Sequence, residues 1–307
     1  MAIRLQESLR GLFYAPFYAA LARKAYEAEG VDVRFVSSPR PSDAAAAIMT
    51  GAADVCWGGP MRVMQTYHSD PACDLISFAE VVTRDPFMLV GRTPRPDFDL
   101  RDLASLTLAT VSEVPTPWMC LQEDLRRAGM NPDDLTRLPN NTMAENCAAL
   151  ARGDVDVIQL FEPFVSTLEA AGQGSVWYAA ANRGHTSYTT FYSRRGLLME
   201  RRDELLRMVR AIARTLIWVQ SADPAEIAET IRLYFPDAPA DSLTQSCRRY
   251  KALRIWGIDT VLPREGYDRL RASLVSGRFV NPGAPFEVAV DNSLAEIVRA
   301  ELQGSQR

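Results

Sequence analysis

Over its first 90 residues the chain alternates short apolar runs with helix-period stretches, and few folds accommodate that order. The run "IRLQESL" reads as a strand, "PFYAALARKAYEAEG" as a helix closed by Gly30, "VDVRFVSS" as a strand and "SDAAAAIMTG" as a helix capped by Ser42. Strand, helix and strand follow again in "ADVCWG", "PMRVMQTYH" and "CDLISFAEVV". Such alternation demands crossover connections, which build a mostly parallel sheet covered by helices. The expected fold class is α/β.

A second set begins near residue 102 with the strand "LTLATV", the helices "PWMCLQEDLRRAG" and "AENCAALARG", and the strand "VDVIQLF". The stretches "MTGAADVCWGGP" and "LARGDVDVIQLFEP" share a helix ending in glycine, an Asp-Val, a strand, an aromatic and a proline. They are either an internal repeat or two unrelated units obeying the same packing rules. "YTTFYS", Tyr188 to Ser193, reads as a β-rich crossing point, and from residue 196 the pattern is mainly helical. At 307 residues, the length fits two domains of about 150 residues each.

Composition excludes several classes. Hydrophobic residues make up 47% and charged residues 23%, the proportions of a folded globular chain. A net charge of −4 argues against a nucleic-acid partner. No apolar run approaches the ~20 residues of a membrane-spanning helix. Five cysteines without a C-x-x-C pair and only two histidines signal neither a disulfide framework nor a metal site, and no cofactor motif is present. The start "MAIRLQESLR" lacks the features of a secretory signal. The expected location is periplasmic if an export signal was removed, and cytoplasmic if the chain is complete as written.

Proline opens a helix after an early strand or its turn at Pro16, Pro60, Pro117 and Pro163, two in each α/β set. Each has an aromatic nearby: Tyr14 or Phe17, Trp57, Trp118, Phe161 or Phe164. Ligands of open α/β sheets bind beyond the carboxyl ends of the strands, so two facing sheets would bring all four junctions to one cleft. The plain alternative is that prolines start helices and the aromatics are core. Gly58 and Gly59 in "WGGP" suit a tight turn or a close approach to a ligand. Thr116, Ser112, Glu113 and Glu162 have the hydroxyls and carboxylates to cap helices or to bind a ligand. His185 lies near the second crossing, and Cys56 alternates with Trp57 and belongs to core.

The stretches "FYAPFYAALARKAYEAEGVDVRF", "IMTGAADVCWGG", "DPFMLVGR" and "LARGDVDVIQLFEPF" together resemble the type 2 periplasmic-binding-protein superfamily. The branch is the one that holds thiamine-pyrimidine synthase-like, sulfonate, taurine and nitrate binding proteins. The resemblance implies two lobes, 1–90 plus 193–307 and an inserted 91–192, crossing near Phe87 to Arg92 and Tyr188 to Arg194. It implies a ligand between the lobes, stacked by Tyr14, Trp57 and Trp118 and held by polar groups of both. Phe17, Asp85, Phe161 and Tyr188 complete the candidate set. The implied function is a solute-binding protein for an ABC-type importer. Its ligand would be a small aromatic or heteroaromatic compound such as a pyrimidine precursor or an anionic sulfonate, and a permease would be its partner. An enzyme on the same scaffold, a pyrimidine-synthase-like protein, a decarboxylase or a desulfinase with His185 or Glu162 as acid or base, is the alternative. The cysteine-rich motif of the fungal-type pyrimidine synthases is absent, and where related desulfinases place a nucleophilic cysteine this chain has "GLFYAPF".

Overall fold

The computed structural model describes residues 1–304. In chain order the strands are β1 (Ile3–Glu7), β2 (Val33–Ser37), β3 (Val55–Gly58), β4 (Leu75–Val82), β5 (Met88–Gly91), β6 (Thr107–Ala109), β7 (Thr136–Leu138), β8 (Val157–Leu160), β9 (Ser175–Ala179) and β10 (Thr189–Arg194). They form two sheets, ordered β2-β1-β3-β10-β4 and β7-β6-β8-β5-β9. In the first, β1 runs parallel to β2 and β3, while β10 is antiparallel to β3 and β4. In the second, β6 runs parallel to β7 and β8, while β5 is antiparallel to β8 and β9. The two orders match strand for strand, with β3 and β8 equivalent. The likeness of "ADVCWG" to "VDVIQLF" therefore falls on corresponding strands.

Each antiparallel strand is the first to enter its sheet after the chain changes lobe. Those changes occur over residues 83–87 and 180–188, between β4 and β5 and between β9 and β10. The expected boundaries, at 90/91 and 192/193, cut through β5 and β10. They are corrected by the pairing, because β5 bonds only to strands of the second sheet and β10 only to strands of the first.

Residues Lys24 and Pro60 decide two local features. Lys24 is left-handed at φ 55°, which ends the helix Ala15–Ala22 and starts a separate turn, Ala25–Ala28, where the sequence reads as one helix. Pro60 stands at the N-cap of the helix Met61–Ser69, directly beyond β3.

Strand alternation sorts the first sheet into two faces. Trp57 and Phe191 face the helices Ala15–Ala22 and Arg202–Ser221, while Cys56 and Tyr192 face a second apolar cluster with Tyr267 and Leu270 of the helix Arg264–Ser276. The Trp57 indole is fully buried between Phe17 and Phe35, with ring centroids 4.8 and 5.3 Å away and planes within 11° of parallel. Such a stack adds to the area it removes from water.

The C-terminal helices strap the lobes together. Arg249, on the helix Ala240–Ala252, pairs with Glu162 at 2.5 Å and also with Glu169 on the helix Phe164–Ala170 of the second lobe. At the end of the helix Arg264–Ser276, the Ser276 hydroxyl accepts from Arg126 at 2.9 Å and donates to Glu123 at 2.7 Å, both on the helix Thr116–Arg127. Among the described residues no helix is long and apolar enough to cross a membrane.

Truncating Trp57 to alanine should cost about 3–5 kcal/mol of stability, the usual range for emptying a large aromatic site. Urea unfolding monitored by circular dichroism measures this. A loss below about 1 kcal/mol would mean that the indole packs loosely.

Candidate functional site

The cleft lies where the turns after β1 and β3 meet the second lobe and both crossings. Ser8, Phe13 and Tyr14 follow β1, Gly59 and Arg62 follow β3, Thr116 comes from the second lobe, and Phe87 and Tyr188 come from the crossings. The volume is about 40 Å³. A water needs about 10–15 Å³ by this measure, so the cleft has room for a compact group of a few atoms.

Its electrostatics are one-sided. Arg62 is only 8% exposed, and burial lowers the pKa of its guanidinium. Its side chain donates to Gln65 Oε1 at 2.9 Å, and no carboxylate among the described residues pairs with it. A guanidinium stays charged at any ordinary pH, so this is a largely buried cation with no carboxylate bonded to it; Asp43, the acid whose charge reaches it, is paired with Arg40. The other polar side chains lining the cleft are neutral. The Tyr14 hydroxyl lies 3.2 Å from Ser8 Oγ, and burial raises its pKa. The Tyr188 hydroxyl is buried, its pKa is also raised by burial, and it has no hydrogen-bond partner among the described residues. The nearest acid on β1, Glu7, already accepts from Arg10, Tyr18 and Ser37. Positive charge and hydroxyl donors in a dry site favour an anion.

The glycines make room for this arrangement. Neither Gly58 nor Gly59 has a left-handed backbone. A Cβ on Gly58 would lie 3.1 Å from both Ser8 Oγ and the Tyr192 ring, and one on Gly59 would lie 3.3 Å from the Tyr188 carbonyl. Close approach, not turn conformation, is what these positions require.

Of the residues expected at a site, the structure brings Tyr14, Gly59, Thr116 and Tyr188 to this cleft, with Gly58 packed beneath it on Ser8. The others lie elsewhere. Phe17 and Trp57 stack on each other in the first lobe's core, because alternation along β3 turns Trp57 onto the helix-covered face. Trp118 is in the second lobe's core beneath Arg137, whose guanidinium carbon is 4.3 Å from the ring centroid. It sits two residues past Thr116, about 200° around the helix, so the two cannot share a face. Phe161 lines a separate apolar groove.

The acidic candidates are all engaged within the fold. Glu162 is fully buried and accepts from Ser166 N and Oγ, Ser246 Oγ and Arg249, so it joins the lobes and offers no free oxygen lone pair to the cleft. Asp85 accepts from Phe87 N and from Arg183 at 2.8 Å, bracing the crossings. Glu113 accepts from Met143 N at the start of the helix Met143–Arg152, and Ser112 is exposed beside it. His185 Nε2 is 2.8 Å from Glu80, and its ring lies against Gly266 of the helix Arg264–Ser276. The sequence reading passed over Arg62, Ser8, Phe13 and Phe87. A signal for Arg62 existed: a basic residue in the first turn of a helix opposes the macrodipole, which calls for a reason.

Residues 13–227 match the family described as NMT1/THI5 like. The YtlA protein of Bacillus subtilis (strain 168) is 24% identical over 301 residues, 97% of this chain and 90% of that protein. The alkanesulfonate-binding protein SsuA from Xanthomonas axonopodis pv. citri, solved bound to MOPS, superposes with a TM-score of 0.74 at 16% identity, covering 95% of this chain and 98% of SsuA. The periplasmic nitrate-binding protein NrtA from Synechocystis PCC 6803 superposes with a TM-score of 0.72 at 12% identity, covering 98% and 89%. These likenesses place the fold in the type 2 periplasmic-binding-protein superfamily, two-lobed and α/β.

Two charge removals should separate cleft from scaffold. Arg62→Met should leave the ligand-free protein as stable as before or slightly more so, since it deletes a largely buried cation that has no carboxylate bonded to it. Glu162→Ala should cost about 3 kcal/mol, because it strips a buried pair of one partner. Thermal melts of both variants check this. Destabilisation by Arg62→Met as large as that by Glu162→Ala would mean that Arg62 is a structural residue.

Proposed function

The chain belongs to the NMT1/THI5-like family, and from that membership we propose that it is a solute-binding protein, taking up a small organic anion for an ABC-type importer. The observation that carries the reading is Arg62, a largely buried cation without a carboxylate bonded to it among the described residues, lining the same cleft between the lobes as Ser8, Tyr14 and Tyr188. An anionic group such as a sulfonate or carboxylate would accept from the guanidinium and from Tyr188, and would supply the missing counter-charge. The aromatic faces left to the cleft are Phe13, Tyr14, Phe87 and Tyr188, so apolar contact with the rest of the solute comes from them. The names of the sulfonate- and nitrate-binding relatives are consistent with an anion, and the periplasmic location given for NrtA supports a role on that side of the membrane.

An enzymatic role has no comparable support. The acid and base it would use are held by Glu80 and by Arg249, and burial pushes the thiols of Cys56 and Cys120 up to about 12, far from a ready nucleophile.

A panel of small sulfonates, carboxylates, neutral amides and amines, screened by thermal shift, tests the reading. At 100 times Kd a ligand contributes about 2.7 kcal/mol, a rise in Tm of about 5 °C for a chain of this size. The rise should be confined to anions, and Arg62→Gln should abolish it. A response to amines or amides with the anions silent would contradict the proposal.

A further inference from the structure

Beside the charged cleft lies a second cavity of about 550 Å³, between the loop after β1, the helices Met143–Arg152 and Phe164–Ala170, and the segment 234–239. Its walls are apolar, with Phe161, Phe164, Leu168 and Phe235 prominent. The one cation on its rim, Arg10, is fully engaged: it pairs with Glu7 at 2.6 Å, donates to the Tyr234 carbonyl at 2.9 Å and covers the Tyr18 and Tyr234 rings. This cavity has room and no available cation, and the one carboxylate in its lining, Asp237, is exposed at the rim. The cleft at Arg62 has an available charge and little room.

A single ring divides them. Phe13 lines the charged cleft and packs edge-on against Phe161 of the groove, with centroids 5.2 Å apart and planes at 84°. It leans over Gly11, itself part of the groove wall, so closely that a Cβ there would meet the ring edge at 2.6 Å. A chain passing from the cleft to the groove has to displace this ring, which is buried against Tyr14, Phe161 and Tyr188, by a change of rotamer.

We infer that the solute is an amphiphilic anion. Its charged group sits at Arg62 and its apolar chain or ring of several carbons passes Phe13 into the groove of Phe161, Phe164, Leu168 and Phe235. This rests on the anion reading above and adds the class of solute to it. A bare inorganic anion would leave the groove empty, and a neutral apolar molecule would leave the Arg62 charge unanswered.

The linear alkanesulfonates from methanesulfonate to octanesulfonate, titrated calorimetrically into the full chain, test the inference. Once the tail is long enough to pass Phe13, affinity should rise about 3- to 4-fold per added methylene. Filling the groove from its rim with Ala144→Trp, or separately with Thr167→Trp, should remove at least 10-fold of octanesulfonate affinity and leave methanesulfonate unchanged. Binding of the short members without a gain in chain length would overturn the inference while leaving the Arg62 reading intact. A gain that both tryptophan variants preserve would also overturn it, since the tail would then lie elsewhere. Failure of every member to bind would overturn both readings.

Discussion

Arg183 fixes how the lobes meet. Its guanidinium, with the side chain 7% exposed, bonds Asp85 of the first crossing at 2.8 Å and Asp124 of the helix Thr116–Arg127 at 2.9 Å, while the residue itself belongs to the second crossing. Three segments from distant parts of the chain are thus held by one planar, five-donor group. Asp124 in turn accepts from Tyr178 at 2.9 Å, and Arg269 of the helix Arg264–Ser276 donates to the Arg183 carbonyl. Burial raises the pKa of Asp85 and the paired guanidinium opposes the rise, so the charges are tolerable only together. Since Asp124 lies on the helix whose first turn brings Thr116 to the cleft, the same network positions the second lobe's side of the site.

Against that rigid junction, the cleft shows a deliberate asymmetry. The buried charges of the junction and of the strap at Glu162 are answered by several partners each, whereas Arg62 has one neutral partner, Gln65. Where the junction and the strap answer each buried charge with an opposite one, Arg62 is left for something from outside. The division of labour between a small charged cleft and a large apolar groove then follows from where Phe13 stands, between the turn after β1 and the Phe161 ring of the opposite lobe.

Much of the fold was legible, because hydrophobic periodicity and helix-stop glycines report directly on packing. β1, β2, β3, β4, β6, β8 and β10 all coincide with apolar runs read from the sequence, and the equivalence of β3 and β8 shows in their shared pattern. β7 was missed, being three residues long with mixed exposure, and so was β9, whose residues are mostly half-buried, while β5 was read only as a crossing, Phe87 to Arg92. The site was less legible. Proximity to a proline turn pointed to Trp57 and Trp118, but a side chain's direction is set by its parity along the strand or its angle around the helix, and both turned inward. Glu162 offers the same lesson. Its position at a strand end is that of a ligand group, yet Arg249, 87 residues later, claims it, and such a partner across the fold is invisible in local spacing.

The central claim is that Arg62 holds an anion. Crystals grown with selenate, or soaked in it, and measured at the selenium absorption edge give the most direct test, since the anomalous signal locates the anion without reference to the protein phases. The account predicts a peak within hydrogen-bond reach of the Arg62 guanidinium, on the side of the Tyr188 hydroxyl. A cleft without a peak, with Arg62 paired instead to a carboxylate of its own chain, would contradict it.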